Sequence, residues 1–187
     1  MTETHPAPLP RTMQAVVLRG HGGGEQLEFR DDVAVPVPAA GEVLIQVGAA
    51  ALNNTDINTR VGWYSKTVAI DTASLAADVT PRPEEPADGN WSGQPFVFPR
   101  IQGLDACGRL VATGSGVGAQ RLGERVLVDP VLRAGKVGGF EVQYVGLERD
   151  GAYAQYLAVP SINAHRIESP LSDAELACFP CAYGTAQ

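Results

Sequence analysis

The stretch GEVLIQVGAAALNNTD, residues 41–56, decides how this chain is read. Its first half alternates: Val43, Ile45 and Val47 fall on one face, Leu44 and Gln46 on the other. That is the pattern of a partly buried strand. The apolar text stops at Leu52, and Asn53, Asn54, Thr55 and Asp56 follow at once. Residues 55–60 are predicted to form a short helix or turn. A strand therefore delivers a polar quartet at its end, which is either a turn and strand cap or the start of a site.

Working outward toward the N-terminus, residues 13–19 are a short β-branched run closed by Gly20 and by Gly22, Gly23 and Gly24, which predicts a strand and a flexible turn. Residues 27–35 read as a second strand, stopped by Pro36 and Pro38. Toward the C-terminus, residues 64–98 change character. Pro81, Pro83, Pro86 and Pro95, the pair Glu84-Glu85 and a DGNWSG turn predict a long surface insertion. Trp63, Tyr64, Trp91, Phe96 and Phe98 bracket it and are expected to pin its ends to the body. Strands are predicted again over 108–113, 124–129, 137–146 and 152–159. The one clear helix start is Ser172-x-x-Glu175, a capping box. A helix from about Asp173 would turn Leu176 and Ala177 inward, and Pro180 limits it or bends it. The fold class is thus mainly β, with short helices and helical character at the C-terminal end.

The chain has 187 residues, 44% of them apolar and 19% charged, so it is globular in composition. A net charge of −7 disfavours nucleic acid and anionic membrane as partners, since both need a basic face. No apolar run approaches the ~20 residues that span a bilayer. Residues 1–12, rich in proline and polar groups, lack the apolar core of a signal peptide and are expected to be a disordered leader on a cytoplasmic protein. Cys107, Cys178 and Cys181 are too few for a disulfide framework or a four-cysteine zinc cluster.

Three patterns invite chemistry. Gly114-Ser115-Gly116-Val117-Gly118-Ala119 fits G-x-G-x-x-G/A, but a strand follows at Arg125 and leaves no room for the crossover helix a nucleotide site needs. A glycine turn between antiparallel strands is the reading. Cys178-x-x-Cys181 follows a helix start instead of opening one after a strand, so buried cysteines in a packed helix are expected. His5, His21 and His165 have no carboxylate or cysteine at ligand spacing.

Taken in order, the remaining motifs carry a resemblance. Met13 to Val17 is an opening strand. Pro38-x-x-Gly41-Glu42-Val43-Leu44-Ile45-Gln46-Val47 is similar to P-x-x-G-E-V-L-V-x-V. Asn53 to Asp56 is followed by Gly103-Leu104-Asp105-Ala106-Cys107-Gly108, V-x-x-G-x-x-V from Val111, Gly123-Glu124-Arg125-Val126, Gly151-Ala152-Tyr153-Ala154-Gln155-Tyr156, and Cys181-Ala182-Tyr183-Gly184-Thr185-Ala186. Over about residues 13–187 the chain resembles the N-terminal, GroES-like half of the medium-chain dehydrogenase/reductase superfamily. That superfamily holds zinc alcohol dehydrogenases and zinc-free quinone oxidoreductases. The resemblance implies a partly open β-barrel over 13–170. It also implies, over 171–187, the start of a linker helix, the first helix of a Rossmann cofactor domain that is missing here.

It further implies roles. Zinc members hold the metal on a Cys, a His and a second Cys, with a Glu beside them. Here Asn53 stands at the first position, Leu104 at the second, Asp105 in the Glu's place, and only Cys181 remains. Leucine has no donor atom and a neutral amide is a poor zinc ligand. The resemblance therefore implies the zinc-free branch and no metal site. Without zinc, the Asn53 amide and the Thr55 hydroxyl are the donors for oxyanion charge, and Tyr64 is a candidate proton donor. Asp56, Trp63, Leu104 and Asp105 fall at the implied substrate pocket, with Asp56 ordering the loop. Thr185 matches a residue that approaches the nicotinamide ring.

Two readings of function stay open. One is the substrate domain of an NAD(P)H-dependent oxidoreductase acting on a carbonyl, quinone or alcohol. This chain by itself would be truncated, inactive and without appreciable NADPH binding, because the βαβ unit is missing. The other is a stand-alone GroES-like binding or assembly module. In the first reading the last helix exposes an apolar face and the chain self-associates through it. The 64–98 insertion either shapes the pocket or forms a surface lobe. Substrate, oligomeric state and the choice of NAD or NADP are not written in these residues.

Overall fold

The computed structural model describes residues 8–64, 96–133 and 142–186. The body of the 64–98 insertion, with Trp91, lies outside the described residues, and so does the first half of the strand expected over 137–146.

Alternation along residues 41–52 is realised as an inner strand of a five-stranded sheet. β1 (Thr12–Leu18) pairs with β2 (Leu27–Ala34), and β3 is Glu42–Ala51. The short β4 (Arg100–Ile101) pairs with β1 on its other side, giving a three-stranded sheet in the order β2-β1-β4. β5 (Asp105–Thr113), β6 (Arg125–Val128), β9 (Tyr156–Pro160) and β10 (Ala164–Arg166) join β3 in the order β10-β6-β5-β3-β9. β7 (Val131–Arg133) and β8 (Val142–Tyr144) form a separate hairpin. Every strand ladder is antiparallel, and the pairing of Ala15 with Ala154 ties the two larger sheets together.

β3 shifts register against β5 at Leu44/Ile45 and again at Val47/Ala49. Such bulges bend a strand and sharpen its twist, and the sheet curls into a half-barrel. Inside the curl, Val43, Ile45, Leu110, Val126, Val128, Leu157 and Val159 are buried together. Each side chain of this size contributes about 1.5–3 kcal/mol by leaving water. The predicted face of Val43, Ile45 and Val47 is thus the core face.

The outer face of β5 carries Asp105, Cys107 and Arg109, every second residue. Residues 114–118 are the turn that returns β5 to the antiparallel β6, followed only by one 3-10 turn at Ala119–Arg121. No crossover helix follows these glycines, which agrees with the turn reading. α1 (Asn54–Arg60) leaves the end of β3. α2 (Asp173–Ala177) begins at the capping box, where Ser172 Oγ accepts from Glu175 N–H at 3.2 Å and Glu175 accepts from Ser172 N–H at 2.7 Å. Leu176 and Ala177 are buried against Cys107 on the outer face of the sheet. α3 (Pro180–Ala186) starts at the proline and buries no residue. Phe96 and Phe98 pack on Leu18, Leu147 and the His21 ring. Among the described residues no helix is long and apolar enough to cross a membrane.

Candidate functional site

Two buried carboxylates organise the place where β3 ends, β5 begins and α3 starts. Asp56, 2% exposed, sits in the first turn of α1. Its Oδ2 accepts the Asn53 N–H at 2.9 Å and its Oδ1 accepts the Gly103 N–H at 3.2 Å. The Gln102 amide donates to the Asp56 carbonyl at 3.0 Å. One side chain therefore holds the β3–α1 corner against the loop that leads into β5. The Tyr153 hydroxyl lies between this carboxylate and the Ala51 carbonyl, 3.3 Å away. Its single proton serves the charged acceptor better. Gly103 has φ +102°, and a Cβ there would fall 2.7 Å from the Tyr153 ring and 2.9 Å from the Tyr153 nitrogen. Only glycine lets these segments meet.

Asp105, wholly buried, opens β5. Its Oδ2 accepts from the Asn53 side-chain amide and its Oδ1 from the Cys181 N–H, each at 2.9 Å. Thr185 Oγ1 donates to the Cys181 carbonyl at 2.8 Å, and the Thr55 and Thr185 hydroxyls both act to lower the Cys181 thiol pKa. Residues 53, 55, 56, 105, 181 and 185, spread over the sequence, thus form one cluster.

Burial dominates the electrostatics. It pushes the Asp56 and Asp105 carboxyls above the ordinary carboxylate range, opposed by the hydrogen bonds each accepts. The Cys181 thiol is raised first by burial and then by the charges of Asp105 and Asp56. Tyr153 is raised for the same reasons, burial first.

The other predicted residues are placed differently. Leu104 is buried, 1% exposed, and can wall the cluster but not line an open pocket. Trp63 and Tyr64 lie beyond the C-terminal end of α1, the end opposite Asn53, with their rings edge to face at 5.3 Å. The cysteine pair is not buried as expected: Cys178 is exposed and Cys181 half-buried, because α2 ends at Ala177 and the chain turns outward before Pro180. Tyr153, Gln102 and Gly103 join the site through the tertiary structure. Tyr153 carried a signal, as the aromatic in the Gly151–Tyr156 motif, while Gln102 carried none.

Among the described residues no three His, Cys, Asp or Glu side chains converge to hold a metal ion. At the cluster, both oxygens of Asp105 are committed, Asn53 is a neutral amide and no imidazole is at hand, a poor donor set for zinc.

With this geometry in hand, comparison with known proteins places the chain. Residues 39–169 match the alcohol dehydrogenase GroES-like domain, and the chain belongs to that family. It is 27% identical over 176 residues to a quinone oxidoreductase of Lama guanicoe, covering 94% of this chain and 40% of that protein. The crystal structure of a candidate alcohol dehydrogenase from Sinorhizobium meliloti superposes with a TM-score of 0.76 at 44% identity, over 94% of this chain and 45% of that one. The structure of an NAD-dependent alcohol dehydrogenase superposes with a TM-score of 0.72 at 30% identity, over 93% and 45%. The chain therefore spans less than half the length of these relatives.

Proposed function

We propose that this domain is the substrate-binding part of a nicotinamide-dependent oxidoreductase that acts on small carbonyl, quinone or alcohol substrates without a catalytic zinc. The observation that carries the reading is the bond from Asn53 to Asp105 beside Cys181, with buried Leu104 next to it. Where zinc members of the family place ligands, this chain has a neutral donor and a hydrocarbon. Bound NAD(P)H supplies the hydride in proteins of this class. The residues of this chain bind and orient the substrate. The second N–H of the Asn53 amide and the Thr55 hydroxyl are the donors for charge developing on the substrate oxygen. Tyr64 is an alternative proton source, reaching the substrate from the far end of α1. Asp56 and Asp105 hold Asn53 in place and do not react. Thr185 belongs to the cofactor-facing side, through its bond to Cys181. A cytoplasmic location, and self-association through exposed α3, belong to the same proposal.

The test is a chimera. The chain is joined through α3 to the cofactor-binding part of the Sinorhizobium meliloti relative, and loss of NAD(P)H absorbance is followed with quinones and aldehydes. The expected result is turnover unaffected by chelator, lowered about a hundredfold in kcat by Asn53→Ala. Activity abolished by chelator and restored by zinc would overturn the zinc-free reading. A folded chimera that binds cofactor yet turns over none of these substrates would overturn the substrate class.

A further inference from the structure

We propose that Arg125 and Asp173, which lie outside the cluster, are positioning residues that hold the Cys181 N–H on Asp105. The inference rests on the reading above only for what the cluster is used for. Its geometry stands independently.

The problem these residues solve is visible in the elements. α2 has five residues and α3 seven, both too short to be stable alone. α3 has no fully buried residue, so side-chain burial does little to fix where its first turn lies. Yet Cys181, in that turn, must present its N–H to Asp105 Oδ1 at 2.9 Å. The attachment has to be made upstream.

It is made at Asp173, the first residue of α2. Arg125 on β6 grips Asp173 Oδ1 with Nε at 2.7 Å and Nη2 at 2.6 Å. The same guanidinium donates to the Ser169 carbonyl at 3.0 Å and the Leu171 carbonyl at 2.7 Å, so it holds the approach to the helix as well as its first turn. Cys107 on β5 points its thiol at the same oxygen, 3.6 Å away. On β3, a Cβ at Gly48 would lie 2.0 Å from Asp173 Oδ2, so the carboxylate comes this close only because residue 48 is glycine. Three adjacent strands thus converge on one carboxylate.

Register links this anchor to the cluster. Arg125 is paired with Arg109, and Cys107 with Leu127, on the same face of the sheet that carries Asp105. Asp105 and Cys107 are two residues apart on one face of β5. The α2–α3 segment is therefore a bracket pinned at both ends to the same strand. Asp173 sits at Cys107, Cys181 sits at Asp105, and Leu176 and Ala177 are buried between. Among the described residues Arg125 is the one cation that pairs with Asp173, and the pair is partly shielded from water, with 18% and 32% of the two side chains exposed. Removing the guanidinium leaves a half-buried carboxylate without its partner beside a hydrocarbon surface, which drives that end of the bracket off the sheet.

The experiment reads the position of Cys181 directly. N-ethylmaleimide labelling of the native chain, resolved by peptide mass, gives separate rates for its three cysteines. In the wild type Cys178 reacts first because it is exposed, Cys181 more slowly, and Cys107 stays silent, buried and with its thiol pushed up to about 11. In Arg125→Gln, Cys181 is expected to react at least about tenfold faster, with Cys178 unchanged. Arg125→Lys, which keeps a cation beside Asp173, restores most of the protection. Val128→Ala, a core truncation lowering the melting temperature by a similar amount, leaves the Cys181 rate alone. Should Arg125→Gln fail to fold, Asp173→Asn carries the same comparison. A Cys181 rate within about twofold of wild type in the variant, or an equal acceleration in Val128→Ala, would overturn the proposal. Because no turnover is measured, that outcome leaves the oxidoreductase reading untouched, and loss of the oxidoreductase reading leaves the labelling result standing.

Discussion

Asp56 shows what a single buried carboxylate costs and what it organises. It accepts two backbone N–H groups and faces the Tyr153 hydroxyl, and among the described residues no cation acts on it. Burial is the largest influence and raises its pKa above the ordinary 3.8. The native state therefore keeps this proton at a pH where the unfolded chain has lost it. The resulting stabilisation is complete below about pH 4 and is lost as pH rises through the raised native value. Asparagine at this position keeps one acceptor and never ionises. The stability of Asp56→Asn relative to wild type should shift in favour of the variant between about pH 3.5 and pH 7, measured as urea midpoints at constant ionic strength. A difference that stays constant or moves the other way would show that accepted hydrogen bonds outweigh desolvation. At this scale the sequence exposed the polar text, Asn53 to Asp56 and Asp105, because such residues stand out among apolar neighbours. It could not show that Tyr153 closes the group, since an aromatic in a strand motif looks the same whether it fills a core or faces a carboxylate.

The elements differ in how far local chemistry decides them. β3 and α2 were legible, the first from alternation and the second from Ser172 and Glu175. Local signals sufficed there because burial face and cap are encoded within a few residues. β4, β7 and β10, of two or three residues each, were not, because strands this short exist only through their partners. The same dependence makes α2 sensitive to its cap. Ser172→Ala removes the acceptor for Glu175 N–H and should cost about 1 kcal/mol. As α2 is only five residues long, the loss should appear as local opening. Hydrogen exchange at the Leu176, Cys178 and Phe179 amides is expected to quicken about fivefold, while the amides of β3 and β5 keep their protection. Uniform acceleration across the sheet would place the cap in the global folding unit instead.

For the molecule as a whole, the curled sheet closes its own interior but leaves α3 outside. The Phe179 and Tyr183 rings pack at a tilt of 43° with centroids 4.9 Å apart, and Tyr183 is 64% exposed. Leu52, beside Asn53, is 69% exposed at the rim of the cluster. Apolar surface of this kind favours association. The sedimentation coefficient should rise with concentration for the wild type and cease to do so in Phe179→Ser combined with Tyr183→Ser. A concentration-independent monomer in the wild type would remove α3 from the list of contact surfaces.

The amino-acid sequence by itself determined that the chain is mainly β, which face of β3 is core, that residues 114–118 turn instead of binding a nucleotide, and where α2 begins. Each of these follows from side-chain order over a few residues, where burial, glycine freedom and capping act locally. Only the tertiary structure decided that residues 53, 55, 56, 105, 181 and 185 are one cluster, that Tyr153 belongs with them while Tyr64 sits at the other end of α1, and that Arg125 reaches Asp173 across the sheet. Those contacts join residues many tens of positions apart, and their distances follow from strand register and sheet curl, which no local pattern contains.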